Sequence, residues 1–161
     1  MSLTVIYLLI LVIAANSAPI LLARLLGDKF NLPIDFGWRF IDGRPLLGSS
    51  KTWRGFAAAV LSCSAIAPVM DFSATLGASV GALAMLGDML SSFTKRRLGL
   101  ESSAKAPLID QLPESLLPAI VLKSVLGISW LDIVWLALAF LVLEVVFSVI
   151  LFRLGIRKRP Y

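Results

Sequence analysis

The sequence predicts an all-α integral membrane protein of about five transmembrane helices, with a site in its cytoplasmic loops and its N-terminus outside. Three observations predict it. Of the 161 residues 58% are hydrophobic, and the mean hydropathy of +0.91 lies far above that of a soluble domain. The apolar residues gather into runs that, at about 1.5 Å per helical residue, approach the ~30 Å of a bilayer core. The cations, finally, collect between alternate runs. The length suits a single membrane-embedded domain over residues 1–161, because no polar stretch is long enough to fold separately.

The first run spans residues 3–25, with Asn16, Ser17 and Arg24 as its notable polar interruptions. No cation precedes it and it exceeds a signal peptide's apolar region, so it reads as a span. Pro19 is expected to kink it and Asn16 to face the bundle. Residues 26–54 are polar, rich in Gly and Pro, and too long for a plain connection, so a folded or re-entrant loop is expected. The second span covers Gly55 to Phe72, a tight turn near Asp71 follows, and the third runs from Ala74 to Arg97. After a loop from Leu98 to Pro107, a fourth span is expected over 112–128, with Pro113 near its first turn and Pro118 bending it. The fifth covers 130–152.

Fourteen of the fifteen Lys and Arg residues lie at or in the first loop, the third loop or the C-terminal tail; Lys123 is the exception. In a five-span chain those regions share one side, which the positive-inside rule makes cytoplasmic. The expected location is the cell membrane, multi-pass. Formal charge +5 and pI near 9.8 then describe orientation and contact with anionic headgroups. No nucleic-acid partner is expected.

The stretch from Gly87 to Pro113 needs a chemical explanation. Read as a helix, Asp88, Ser91, Ser92 and Lys95 share one face, and Gly77, Gly81 and Ala84 continue it with small residues that admit a neighbouring helix. An acid on such a stripe is a functional candidate, because ionisable groups at membrane depth are costly. Asp88 and Asp110 bracket the cluster Lys95-Arg96-Arg97, and the first loop supplies Lys51 and Arg54. Acids alone suit a divalent cation and cations alone suit phosphate; together they suit a metal bound to a phosphate chain, with magnesium favoured over calcium. The bland alternative pairs Asp88 with Lys95 along the helix and leaves residues 95–97 to anchor the headgroups. Lys123 reads as a snorkelling or internally paired residue, and Glu144 could pair with it, line the lipid pocket or help in the reaction, pairing being the default.

Some classes fall away. Histidine is absent, which removes the commonest general base, the commonest zinc ligand and a Ser-His-Asp triad. Cys63 is the only cysteine, which excludes an internal disulfide and reads as packing. The glycines near Lys51 do not form a Walker loop, since Pro45 stands where its first glycine would be. Phosphoryl chemistry survives these losses: a phosphomonoester acceptor is already anionic and needs positioning and charge neutralisation more than a base.

Taken together, Asp42-Gly43-Arg44 with Leu46-Leu47-Gly48, Lys51-Thr52-Trp53-Arg54-Gly55, Gly87-Asp88 with Ser92-Phe93, Lys95-Arg96-Arg97-Leu98-Gly99 and Asp110-Gln111-Leu112 resemble the CDP-archaeol synthases. Gly155, Pro160 and Tyr161 fit the closing pattern of that family, which is distantly similar to the CDP-diacylglycerol synthases. The resemblance covers nearly the whole chain. It implies a five-span nucleotidyltransferase that condenses CTP with an unsaturated archaeol phosphate, releases pyrophosphate and uses magnesium. Asp88 and Asp110 would hold the metal. Lys95, Arg96 and Arg97 would meet the triphosphate with Ser92 nearby, and Lys51, Thr52, Trp53, Arg54 and Gln111 would complete the nucleotide site.

The chain departs from the archaeal pattern in three places. Gly48-Ser49-Ser50-Lys51 replaces Gly-Asp-Gly-Lys, Glu144 and Ser148 replace a histidine and an asparagine, and Pro113-Glu114 replaces Asp-Phe. The later changes fall on the lipid side and are compatible with a bacterial branch acting on phosphatidic acid. The competing readings are a CTP-dependent lipid kinase of the dolichol kinase type and a non-enzymatic protein that binds anionic lipids. A CDP-alcohol phosphotransferase is disfavoured, because Asp42-Gly43 is followed by no acid until Asp71.

Overall fold

The computed structural model describes residues 2–101 and 107–153. The loop residues 102–106, the side chain of Ser148 and the tail with Gly155, Arg157, Lys158, Arg159, Pro160 and Tyr161 lie outside that range. The described chain is helical: α1 Leu3–Leu26, α2 Trp53–Ile66 running into a 3-10 turn Ala67–Met70, α3 Ala74–Arg97, α4 Pro107–Val121, the single turn α5 Lys123–Leu126, and α6 Trp130–Arg153. Among the described residues no strand forms, only isolated bridges in the first loop. α1, α2 with its 3-10 turn, and α3 are each long and apolar enough to cross a membrane.

Local chemistry sets these boundaries. Thr52 caps α2 by accepting from Gly55 N–H at 3.3 Å, and Ser73 caps α3 by accepting from Leu76 N–H at 3.1 Å. Asp71 takes the left-handed conformation, φ 59°, which makes the tight turn between them. Ser129 and Asp132 form a reciprocal cap on α6: the serine hydroxyl accepts from Asp132 N–H at 3.1 Å, and the carboxylate accepts from Ser129 N–H at 3.1 Å.

The fourth element differs from expectation. α4 begins at Pro107, not 112, because proline's fixed φ and missing N–H suit a first helical position. Asp110 and Gln111 are therefore helical, Pro113 sits inside the helix, and the run ends at Val121 with a separate turn to Leu126. Asn16 also differs. Its amide donates back to Val12 C=O on its own helix, at 3.2 Å.

α3 is the centre of the fold, packed against α2 on one flank and α4 on the other. Small residues permit this, but they serve two neighbours. A Cβ on Gly81 would stand 2.7 Å from Ala59 O, and one on Gly77 would strike Cys63 O, both on α2. Gly87 serves α4: its Cβ would strike Pro113 O and come within 2.8 Å of the Glu114 Cα. Val5, Leu8, Leu11 and Val12 of α1, Val80 of α3, and Leu136 and Phe140 of α6 are fully or almost fully buried. Where hydrocarbon lies outside as well as inside, such close contact, not exclusion of water, holds helices together.

Candidate active site

The C-terminal end of α3 carries Lys95, Arg96 and Arg97 in its last turn, and the first turn of α4 carries Asp110. Each charge stands at the helix end whose dipole favours it. With the helices side by side, Lys95 Nζ meets Asp110 Oδ1 at 2.6 Å. Ser91 Oγ donates to Asp110 C=O at 3.2 Å, and also to Gly87 C=O at 3.0 Å. Two turns earlier on α3, Asp88 Oδ2 meets Lys51 Nζ from the first loop at 2.5 Å. The bland reading thus gives way: Asp88 and Lys95 each pair across elements and not with one another.

Glu114 completes this seam and is the residue that sequence reasoning misses, where it registers only as a departure from the family pattern. It lies one turn after Asp110, with its carboxyl group beside that of Asp88 and near the charges of Lys51 and Glu144. The signal that could have found it is Gly87, which lets the α4 backbone close on α3 at this level. The expected Lys123–Glu144 pair is replaced by other placements. Lys123 Nζ stands 5.2 Å from the Trp130 ring centroid. Glu144 lies near enough to Glu114 to feel its charge.

The first loop is a folded unit, as expected. Its neck is closed by Ile34 N–H donating to Lys51 C=O at 2.8 Å and Trp53 N–H to Leu32 C=O at 3.1 Å. Its hub is Asp35, also missed in the sequence, which is buried and accepts from Gly37 N–H at 3.0 Å, Leu47 N–H at 2.8 Å and Gly48 N–H at 2.9 Å. Burial works against its charge, but the N–H groups of Gly48, Leu47 and Gly37 outweigh burial and hold its pKa below the ordinary value.

Residues 38–46 form a tight hairpin-like turn, with Leu46 N–H donating to Trp38 C=O at 2.9 Å. It is locked to the end of α3. Arg44 Nη1 donates to Arg97 C=O at 2.6 Å, and Arg97 donates to Asp42 Oδ1 at 2.8 Å and Pro45 C=O at 2.6 Å. The Arg97 guanidinium also lies 4.7 Å from the Phe40 ring centre and 4.9 Å from that of Phe93.

The predicted residues therefore divide. Lys51, Asp88, Lys95 and Asp110 are brought together as cross-element pairs, with Ser92, Arg96 and Gln111 buried beside them. Arg97 is committed to the loop. Arg54 donates to Gly27 C=O at 2.6 Å and Lys29 C=O at 2.5 Å, Thr52 caps α2, and the half-exposed Trp53 stacks edge-on with Phe56.

The donor set suits a hard cation. Among the described residues no three acids, histidines or cysteines gather into a metal centre, but two carboxylates with phosphate oxygens are enough for magnesium. Buried beside them, Gln111 Oε1 and Arg96 Nε have no hydrogen-bond partner among the described residues, a costly state that a bound ligand would relieve.

A family model described as CarS-like CDP-archaeol synthase matches residues 1–161. The CDP-archaeol synthase of Hyperthermus butylicus is 50% identical over 108 residues, covering 62% of this chain and 60% of that protein. That of Thermofilum pendens is 38% identical over 103 residues, covering 61% and 50%. That of Sulfolobus acidocaldarius is 35% identical over 128 residues, covering 73% and 71%. The chain thus spans only about half to three fifths of the length of the first two relatives. A solved structure described as an intramembrane enzyme for archaeal membrane lipids biosynthesis superposes with a TM-score of 0.75 at 31% identity, covering 89% of this chain and 91% of that one.

Proposed function

The chain belongs to the CDP-archaeol synthase family, and on that premise we propose that it is a CTP:lipid-phosphate cytidylyltransferase that makes a CDP-lipid and pyrophosphate. The observation that carries this reading is the pair of Lys–Asp contacts, Lys51–Asp88 and Lys95–Asp110, which gather three separate segments at one end of α3. The archaeol name of the relatives favours an archaeol phosphate over phosphatidic acid as acceptor. We infer five crossings, with α4 and α5 together making the fourth, the N-terminus outside and the site facing the cytoplasm. The cation distribution supports that orientation.

In the proposed reaction an oxygen of the lipid phosphate attacks the α-phosphorus of CTP, and the bond to the β-phosphate breaks to release pyrophosphate. The acceptor oxygen is already anionic, so no side chain has to remove a proton. Lys51, Lys95 and Arg96 place positive charge against the triphosphate and the departing pyrophosphate, where preorganised charge lowers the barrier. Asp88 and Asp110 would hold magnesium, which when bound supplies Lewis-acid neutralisation of phosphate oxygens. Gln111 and Ser92 line the buried wall, while Thr52, Trp53, Arg54 and Arg97 hold the first loop in register with α3. Glu114 fixes the orientation of Asp88.

The test is to incubate the purified protein with CTP, magnesium and a panel of lipid phosphates, then detect CDP-lipids and pyrophosphate by mass. A CDP-lipid formed only in the presence of a lipid phosphate supports the reading. A phosphorylated alcohol with CDP identifies a lipid kinase instead. Absence of thermal stabilisation by CTP with magnesium would leave only a lipid-binding role.

A further inference from the structure

The first loop carries a surface that the proposed nucleotide site does not use. Loops ordinarily turn polar side chains to water, yet Phe30, Leu32, Phe36, Trp38, Phe40 and Ile41 are all exposed here, with Ile41 at 96%, Phe30 at 77% and Trp38 at 72%. These side chains are not outward through looseness. Phe30 and Phe36 adopt φ of 56° and 49°, a region that bulky residues rarely occupy. Around Phe36 the backbone is pinned by Phe36 N–H to Pro33 C=O and Trp38 N–H to Asp35 C=O.

The charges of the loop are sorted in the complementary sense. Within residues 30–52 the acids are drawn away, Asp35 being buried among backbone N–H groups and Asp42 bound to Arg97, while Asp28, ahead of the aromatic stretch, is exposed beside Lys29. Lys29 and Arg39 are exposed. The base of the loop is also tied to the spans, by Trp53 N–H to Leu32 C=O and by Arg54 to the carbonyls of Gly27 and Lys29. Exposed Leu25 at the end of α1 and exposed Trp53 at the start of α2 carry the apolar surface of the spans onto it.

We propose that residues 30–41 lie in the headgroup layer of the bilayer the helices cross, with Phe30, Phe36, Trp38 and Ile41 inserted at the interface and Lys29 and Arg39 on anionic lipid phosphates. Aromatic side chains with an apolar body prefer this layer, and cations beside them are drawn to its negative potential. The partner is the membrane itself, not a second copy of the chain.

Spin labelling of the full chain in vesicles of phosphatidylcholine and phosphatidylglycerol tests this. Cys63 is buried, so a cysteine introduced by Ile41→Cys, or by Ser49→Cys as a water-exposed reference, takes the label. The expected result is that the label at position 41 collides more with dissolved oxygen than with a water-soluble nickel chelate, and the label at 49 shows the reverse order. A label at 41 that behaves like the one at 49 overturns the proposal. So does one shielded from both reagents and broadened by a neighbouring label, which would place a second copy on the loop. As a check on the unlabelled loop, Trp38→Ser should remove a fluorescence component quenched by lipids brominated near the headgroup; an unchanged quenched fraction counts against insertion.

Discussion

The two halves of α3 bury the same helix by opposite means. In the N-terminal half, Gly77 and Gly81 bring the backbone of α2 into contact and nothing ionisable intervenes. In the C-terminal half, Gly87 brings α4 equally close, but the seam it opens is lined by Asp88, Glu114, Ser91, Lys95 and Asp110. One half uses close approach to make a rigid support. The other uses it to bring charged groups together with their side chains only 10–22% exposed, where electrostatic interactions are stronger than in open water.

The largest expected effect breaks the second half alone. Asp88→Asn and Asp110→Asn should each lower CDP-lipid formation by at least about 100-fold with little change in detergent thermal stability; near-normal turnover in either variant would remove that residue from the metal site. Next come the glycines. Gly77→Ala and Gly87→Ala both drive a methyl into backbone and should each cost about 2 kcal/mol of stability. They should differ in catalysis: the folded fraction of the Gly77→Ala variant should keep its turnover number, and that of the Gly87→Ala variant should lose it. Equal turnover would mean that the α3–α4 spacing is not what positions the acids.

Glu114 gives a finer distinction. Glu114→Ala should reduce turnover by roughly tenfold, about 1.4 kcal/mol, and Glu114→Gln, whose amide can donate to Asp88, should restore most of it. Failure of the glutamine to restore activity would assign Glu114 a role that needs its carboxyl group.

Much of this fold was legible because periodicity and hydropathy are local. α1, α3 and α6 stand within a residue or two of expectation, and the motif residues Lys51, Asp88, Lys95 and Asp110 meet as ion pairs across elements. What was not legible is pairing across elements. Nothing in the string says that Asp88 faces Lys51 and not Lys95, because that depends on how the first loop folds back. That fold depends on Asp35, whose partners are backbone N–H groups with no sequence signature. Arg97 reads as one of three equivalent cations, and only the placement of Phe40, Asp42 and Pro45 separates it from Lys95 and Arg96.

The smallest expected effect tests that hub. The Asp35 pKa is lowered on folding, so its carboxylate contributes stability that is fully present above the ordinary unfolded value and is lost as pH falls through the lower folded one. Asp35→Ala should therefore cost about 1 kcal/mol near neutral pH, and the gap from the parent should close only in strong acid. A gap that stays constant down to that range would show that the charge is not what orders the loop.

Cys63 has a use that packing alone does not suggest. Its Sγ donates to Leu11 C=O of α1 at 3.3 Å, and its own carbonyl lies against Gly77 of α3, so the thiol marks the point where three helices meet. While they hold together it is sealed from solvent; when they part it becomes reactive. The rate at which a thiol reagent modifies the unaltered protein is thus a clock for the opening of this junction.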